Sequence, residues 1–274
     1  MRPIGLHVRV VDTIGQAADY AEQLNIPLFQ CFLVNQSDRQ PLYIDTDTAT
    51  YFKTKKGDRK FYVHGSYWIN LAQLTSKGIS ILKNEITQAK QLGSHHIILH
   101  PGAAVAHATH AEGIETLARI LNKIMAYEND IILVLENTAH AHQAIGSNLT
   151  DFYELKQKLD WPERLRFCID TAHAHAYGYD ITDPQKQDEF IQLIDDTIGI
   201  SMVELLHLND AIHPRGSRID KHALIGEGTI GYDALKSFAL HPRLIHIPII
   251  LELPSLPLEQ DNAMLQLVRS WHTE

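Results

Sequence analysis

Short runs of β-branched and aliphatic residues recur along the chain, each followed by a longer stretch whose apolar positions repeat with helical spacing. That alternation is the mark of βα units around a parallel sheet. The strand-like runs are IGLHVRV from Ile4, PLFQCFL from Pro27, KFYVH from Lys60, HIILH from His96, IILVLE from Ile131, LRFCID from Leu165, VELLHLN from Val203 and IPIILEL from Ile247. Helices are predicted over residues 14–24, a polar stretch after Asp45, and residues 77–92, 112–127, 151–159, 185–198, 233–238 and 258–271. Thr150 is expected to cap the fifth of these, and Asp183 with Pro184 the sixth. No Gly/Ser-rich or Pro-rich linker divides the chain, so residues 1–274 are expected to form one domain. Eight βα units fit a single closed (β/α)8 barrel, the TIM-barrel architecture, better than an open doubly wound sheet.

In such a barrel the chemistry sits at the carboxyl ends of the strands, so the residue ending each strand is informative. Strand three ends in His64, strand four in His100, strand five in Glu136, strand six in Asp170 with His173 just beyond, strand seven in His207 and strand eight in Glu252. The loop after strand seven adds Asp220 and His222, whose spacing aims both side chains one way if the backbone is extended. A lone strand-end histidine is usually a hydrogen-bonded core or surface residue, and a lone carboxylate usually caps the next helix. Jointly that reading fails, because four carboxylates crowded into one barrel mouth cannot all stay ionised without cations. Imidazole with carboxylate, and no thiolate, suits Zn²⁺ or Mn²⁺ rather than Cu(I) or Ca²⁺. At about three protein ligands per catalytic ion, nine donors imply about three ions.

Composition changes this picture in two ways. The 24 Lys and Arg against 33 Asp and Glu leave a formal charge of −9, which excludes a basic nucleic-acid coat. Three divalent ions would bring the molecule to about −3 and make the mouth locally positive, so a phosphate would be drawn there. Cys31 and Cys168 lie within apolar runs and read as small buried strand residues. With 45% hydrophobic and 21% charged residues, no apolar stretch long enough for a bilayer and no leader pattern after Met1, a soluble cytoplasmic protein is expected.

Taken together, the motifs HGSYWINLA at His64, ILHPGA at Ile98, LENTA at Leu135, CIDTAHAHAYGYDI at Cys168, HLND at His207, GSRIDKHALIGEGTIG at Gly216 and ILELP at Ile250 make a recognisable set. Over essentially its whole length the chain resembles the endonuclease IV family of apurinic/apyrimidinic endonucleases. The resemblance implies a zinc-dependent hydrolase of base excision repair. It would cut double-stranded DNA 5′ to an abasic site and leave a 3′-hydroxyl and a 5′-deoxyribose phosphate. It also implies three zinc ions: one on His64, His100 and Glu136; a second sharing Glu136 and held by Asp170, His207 and Glu252; a third on His173, Asp220 and His222. Metal-activated water would attack phosphorus, with Glu252 and Glu136 as the catalytic carboxylates.

Tyr67 resembles the family's aromatic wedge at the lesion, and Arg39 with Gln40 stand for its Arg-Gln pair after strand two. Arg215, Arg218 and Lys221, on the same face, are expected phosphate contacts. The basic run KTKKGDRK from Lys53 is expected on the opposite face as a solvated charge cluster. Five histidines of 17 are thereby used, and the other twelve are expected to be solvated loop residues. The chain departs from the family at Arg9 and Val10, where small residues are usual, and in the His-rich loop AHAHQAIGSN after LENTA. A monomer with no membrane contact is expected. Two rivals remain: a xylose-isomerase-like sugar-phosphate isomerase, and an abasic-site-binding protein that does not cleave.

Overall fold

The computed structural model describes residues 2–35, 40–73, 76–105, 108–139 and 143–272. Its strands are β1 (Ile4–His7), β2 (Leu28–Phe32), β3 (Lys60–His64), β4 (His96–Leu99), β5 (Ile132–Glu136), β6 (Leu165–Asp170), β7 (Val203–His207), β8 (Asp210–Ala211), β9 (His222–Ala223) and β10 (Ile249–Leu251). The helices are α1 (Ile14–Gln23), α2 (Thr46–Lys56), α3 (Ser76–Gln91), α4 (His110–Tyr127), α5 (Thr150–Lys156), α6 (Thr171–Tyr177), α7 (Pro184–Thr197), α8 (Tyr232–Leu240) and α9 (Leu258–Ser270). Eight strands close into a parallel barrel in the order β1-β10-β7-β6-β5-β4-β3-β2, while β8 and β9 pair separately and antiparallel. The (β/α)8 expectation therefore holds. Among the described residues no helix is long and apolar enough to cross a membrane.

Local chemistry explains where the helices begin. Asp183 accepts from the Gln185 and Lys186 amides ahead of Pro184, as its sequence position predicts. Thr150 is instead the first helical residue of α5, and Leu149 holds the cap position without a side-chain bond. The turn is organised one step earlier, where Asn148 Oδ1 accepts the Thr150 N–H at 3.2 Å. Two features have no counterpart in the apolar pattern: α6, too short to show a period, and the β8–β9 pair.

Side chains alternate across each strand, and in a closed barrel every second one points inward. Leu28, Tyr62, Ile98, Val134, Cys168, Leu205 and Ile250 form one fully buried cluster, one residue from each of seven strands. Two residues further along the same chain segments stand Gln30, His64, His100, Glu136, Asp170, His207 and Glu252, and β1 adds His7 two residues after Gly5. An apolar floor thus carries a layer of eight polar side chains, one per barrel strand. Between the barrel and its helices lies the larger core, in which Phe29, Phe52 and Phe61 pack ring against ring. Cys31 and Cys168 are free and buried, as the apolar runs predict.

At the opposite end, Lys60 pairs with Glu204, whose Oε1 also accepts the Tyr62 hydroxyl at 3.0 Å. Lys55 pairs with Glu22 at 3.0 Å, and Lys56 and Arg59 donate to backbone carbonyls. The basic run from Lys53 is therefore engaged in local structural contacts at the amino-terminal face.

Gly5 of β1 has no room for a side chain: a Cβ there would lie 1.9 Å from the Leu28 carbonyl oxygen of β2. Backbone cannot yield as a side-chain tip does, so Gly5→Ala should spread the β1–β2 pair and lower stability by about 1–3 kcal/mol or more. Urea unfolding of the variant beside the wild type measures this, and an unchanged midpoint would contradict it.

Candidate metal centre

The polar layer brings the strand-end residues together. His64 Nε2 and His100 Nε2 each lie 3.2 Å from Glu136 Oε2. On the other side of the same carboxylate, His207 Nδ1 lies 2.9 Å from Oε1. His207 Nδ1 also faces Glu252 Oε2 at 3.5 Å and Asp170 Oδ2 at 3.9 Å. Asp220 lies 3.1 Å from His173 Nε2 and 3.4 Å from His222 Nε2, bringing the loop after β7 over α6. Donor atoms fall within 4.8 Å of one another in the sets His64–His100–Glu136, Glu136–Asp170–His207–Glu252 and Asp170–His173–His222. Glu136, Cys168 and His207 make a further such set, but burial pushes the Cys168 thiol up to about 12, leaving it protonated.

Neighbours fix which nitrogen of each histidine faces the cluster. His64 Nδ1 is 2.9 Å from the Gly65 carbonyl, His173 Nδ1 2.9 Å from the Asn137 carbonyl and His222 Nδ1 3.0 Å from the Glu252 carbonyl. A carbonyl only accepts, so each of these rings carries a proton on Nδ1, and Nε2 is the nitrogen it can offer to a cation. His222 Nε2 is buried without a hydrogen-bond partner. An orphaned buried nitrogen among carboxylates fits a cation, and this donor set therefore suits a transition metal.

Charge compensation tells the same story. Burial opposes ionisation of Glu136, yet His207 and His100 hold its carboxyl well below the usual range. Burial likewise disfavours the His222 imidazolium, but Asp220 and Asp170 outweigh it and raise its pKa to about 9. The carboxyl of Asp170, fully buried, is pushed upward by that burial. Left to itself the cluster holds protons where cations would balance its charge.

Asp170 has two tasks. Its Oδ1 accepts the His173 N–H at 2.8 Å, capping α6, while Oδ2 faces the cluster. Asn209 Nδ2 donates to Oδ2 at 2.6 Å, and Asn209 Oδ1 accepts the Glu252 N–H at 2.8 Å. Asp210 accepts from the Gly226, Gly228 and Ile230 amides and so ties down the loop that follows β9.

Tyr67 stands half exposed above the layer, its ring 5.4 Å from that of His100 and 5.1 Å from Phe32. A cavity of about 640 Å³ opens beside it, lined by His7, Val10, Phe32, His222 and Glu252. Arg218 lies over the Tyr177 ring at 3.8 Å, Arg215 pairs with Asp180, and Lys221 is exposed; all three lie on this face. Gln40 is exposed, and its carbonyl accepts the Asn35 N–H at 2.9 Å. Arg39 lies outside the described residues, as do His107, His140 and His142.

The expectation that the remaining histidines are solvated needs correction. His175 is buried, and His7 sits in the polar layer with Nδ1 3.1 Å from Glu252 Oε1. Others are partnered: His110 with Asp151 at 2.9 Å and His241 with Asp188 at 3.0 Å. Gln30 was missed because attention to strand ends favours ligand types, and His7 because the run IGLHVRV extends past the end of β1 at His7. The two-residue period from Gly5 and from Leu28 marks both.

The family described as xylose isomerase-like TIM barrel matches residues 18–271. A probable endonuclease 4 of Chloroflexus aurantiacus is 31% identical over 280 residues, covering 98% of each chain. One from Halorhodospira halophila is 34% identical, covering 94% of this chain and 90% of its own. The crystal structure of endonuclease IV from Thermus thermophilus superposes with a TM-score of 0.85 at 27% identity over 99% of both chains. A D-psicose 3-epimerase from Clostridium cellulolyticum superposes at 0.69 with 9% identity, a likeness of fold alone.

Beneath the Tyr67 loop lies Glu85 of α3, fully buried, whose carboxylate oxygens accept the Ser66 N–H at 3.2 and 3.3 Å. Burial pushes its carboxyl up to about 7 despite that bond. An acid with a raised folded-state pKa adds stability that is complete below its ordinary value and is lost as pH rises through about 7. Glu85→Gln, which keeps an acceptor for Ser66, should therefore gain a few degrees of melting temperature on the wild type between pH 5.5 and pH 8. A difference that stays flat across that range would count against it.

Proposed function

Because this chain belongs to the endonuclease IV family and is a DNA-cleaving phosphodiester hydrolase, we propose that it is an abasic-site endonuclease of base excision repair. It hydrolyses the bond 5′ to the lesion in double-stranded DNA and leaves a 3′-hydroxyl and a 5′-deoxyribose phosphate. The observation that carries this reading is the convergence of four carboxylates with five histidines at one barrel mouth.

Those residues divide naturally into three zinc sites: His64, His100 and Glu136; Glu136, Asp170, His207 and Glu252; His173, Asp220 and His222. Bound zinc would supply positive charge for the scissile phosphate and would lower the pKa of water to about 7. The protein does the rest. Glu136 would serve two of the sites, its Oε2 facing His64 and His100 and its Oε1 facing His207. Glu252 borders the open cavity beside Tyr67, where it orients the attacking water and takes its proton.

The rim around this cavity suits a distorted duplex. Tyr67 lines the cavity and is about half exposed, so an aromatic ring is available to an incoming duplex. Tyr67 stacks into the gap left by the missing base, while Arg218 and Lys221 meet the backbone. This reading calls for no base-edge contact: selection would rest on extrusion of the lesion and on the ease of bending there. The sugar-isomerase alternative has the shared barrel in its favour and nothing further.

Metal analysis of the purified protein should give three zinc ions per chain, and it should nick a duplex carrying one abasic analogue only before chelator treatment. Binding without a cut, or one or two ions with no preference for zinc, would overturn the assignment. Tyr67→Ala should weaken binding to the abasic duplex by about 1–3 kcal/mol while leaving the much weaker binding to intact duplex unchanged. Fluorescence anisotropy with the two duplexes measures that, and equal losses on both would reject the wedge.

A further inference from the structure

Gln30 of β2 is fully buried, is not a metal ligand type, and touches three members of the polar layer. Its Oε1 lies 2.9 Å from His207 Nε2, and its Nε2 lies 2.5 Å from Glu252 Oε1 and 2.9 Å from His7 Nδ1. Chemistry fixes the direction of each bond. A carboxylate only accepts, so the amide atom facing Glu252 must be the nitrogen. The other end is then the carbonyl oxygen, which also only accepts, so His207 Nε2 must carry a proton. The second amide hydrogen points to His7 Nδ1, which accepts it only while that nitrogen is not itself donating to Glu252 Oε1, 3.1 Å away.

Two consequences reach the metal centre. With Nε2 committed to Gln30, Nδ1 is the nitrogen that His207 can free for a cation, and it faces Glu136 at 2.9 Å, Glu252 at 3.5 Å and Asp170 at 3.9 Å. In the opposite tautomer Nδ1 would donate to Glu136, a bond that an incoming cation would have to break. Glu252, with Oε1 held by Gln30, is left with Oε2 turned toward His207 and His222. We propose that Gln30 is a positioning residue for the ion shared by Glu136, Asp170, His207 and Glu252, setting the tautomer of one ligand and the rotamer of another through a single amide. This rests on the reading of that group as a zinc site.

The test compares the wild type with Gln30→Leu and Gln30→Met in competition for zinc against a chromophoric chelator, beside thermal unfolding of the metal-stripped proteins. Both variants should lose affinity for one class of ion by about 10–100-fold, with the other ions held within about threefold of the wild type. Nicking by either variant should recover on addition of excess zinc, which a general packing defect would not allow. Variants that fold and hold every ion as tightly as the wild type, or that weaken all ions alike, would overturn the role given to Gln30 alone. A wild type that holds no zinc would overturn the metal reading itself, and the role of Gln30 with it.

Discussion

Mutual repulsion among Glu136, Asp170, Asp220 and Glu252 is the constraint around which the carboxyl end of the barrel is organised. Three of the four sit in the polar layer around His207, and the fourth reaches the same mouth from a loop. Such a group survives folding only if positive charge is built in or recruited. Among the described residues no arginine or lysine lies in the layer, which consists of imidazoles, carboxylates and one amide. Imidazoles accept either a proton or a metal at the same lone pair, so the compensation is exchangeable where a buried guanidinium would be permanent. A site meant to hold dications has to be built this way.

The barrel supplies the rigidity that this arrangement needs. Each inward polar residue stands two positions beyond an apolar one on the same strand, so the layer rests on the packed floor of Leu28, Tyr62, Ile98, Val134, Cys168, Leu205 and Ile250. That floor excludes water from below and fixes the rotamers above. Gly65, Asn137 and Glu252 carbonyls, together with the amides of Gln30 and Asn209, orient the donors. Loops are needed only for His173, Asp220 and His222, and two of these are anchored as well: α6 is capped by Asp170, and His222 begins β9.

How much of this was legible in the sequence follows from how local each signal is. The strands and most helices could be read from apolar periodicity, because burial repeats with the geometry of the element. The nine candidate donors could be found because the last inward side chain of a barrel strand faces the mouth whatever its loops do. Gln30 and His7 obey the same period, but nothing local separates a buried glutamine that orients ligands from one that merely fills space; their contacts span 177 and 245 residues of chain. Helix α6 was hidden for another reason. Asp170 read as a ligand concealed its second use as a cap, and one carboxylate oxygen serves each purpose.

An acidic protein that cuts a polyanion must reverse its field over a short distance. The net charge of −9 opposes approach to DNA at long range, though screening at physiological salt confines that penalty to about 8 Å. Close in, the balance is set by the rim: Arg215, Arg218 and Lys221 share the face with the cluster, while the lysines of α2 are spent at the other end on Glu22 and on backbone carbonyls. Arg215 is itself paired with Asp180, which leaves Arg218 and Lys221 to face solvent on this stretch of the rim. Metal loading and substrate attraction are then one event: the dications that relieve repulsion among the carboxylates also turn the mouth into the part of the surface that a phosphate can approach. On the proposed reading, a duplex with an unstacked gap would meet Tyr67 already exposed at this mouth.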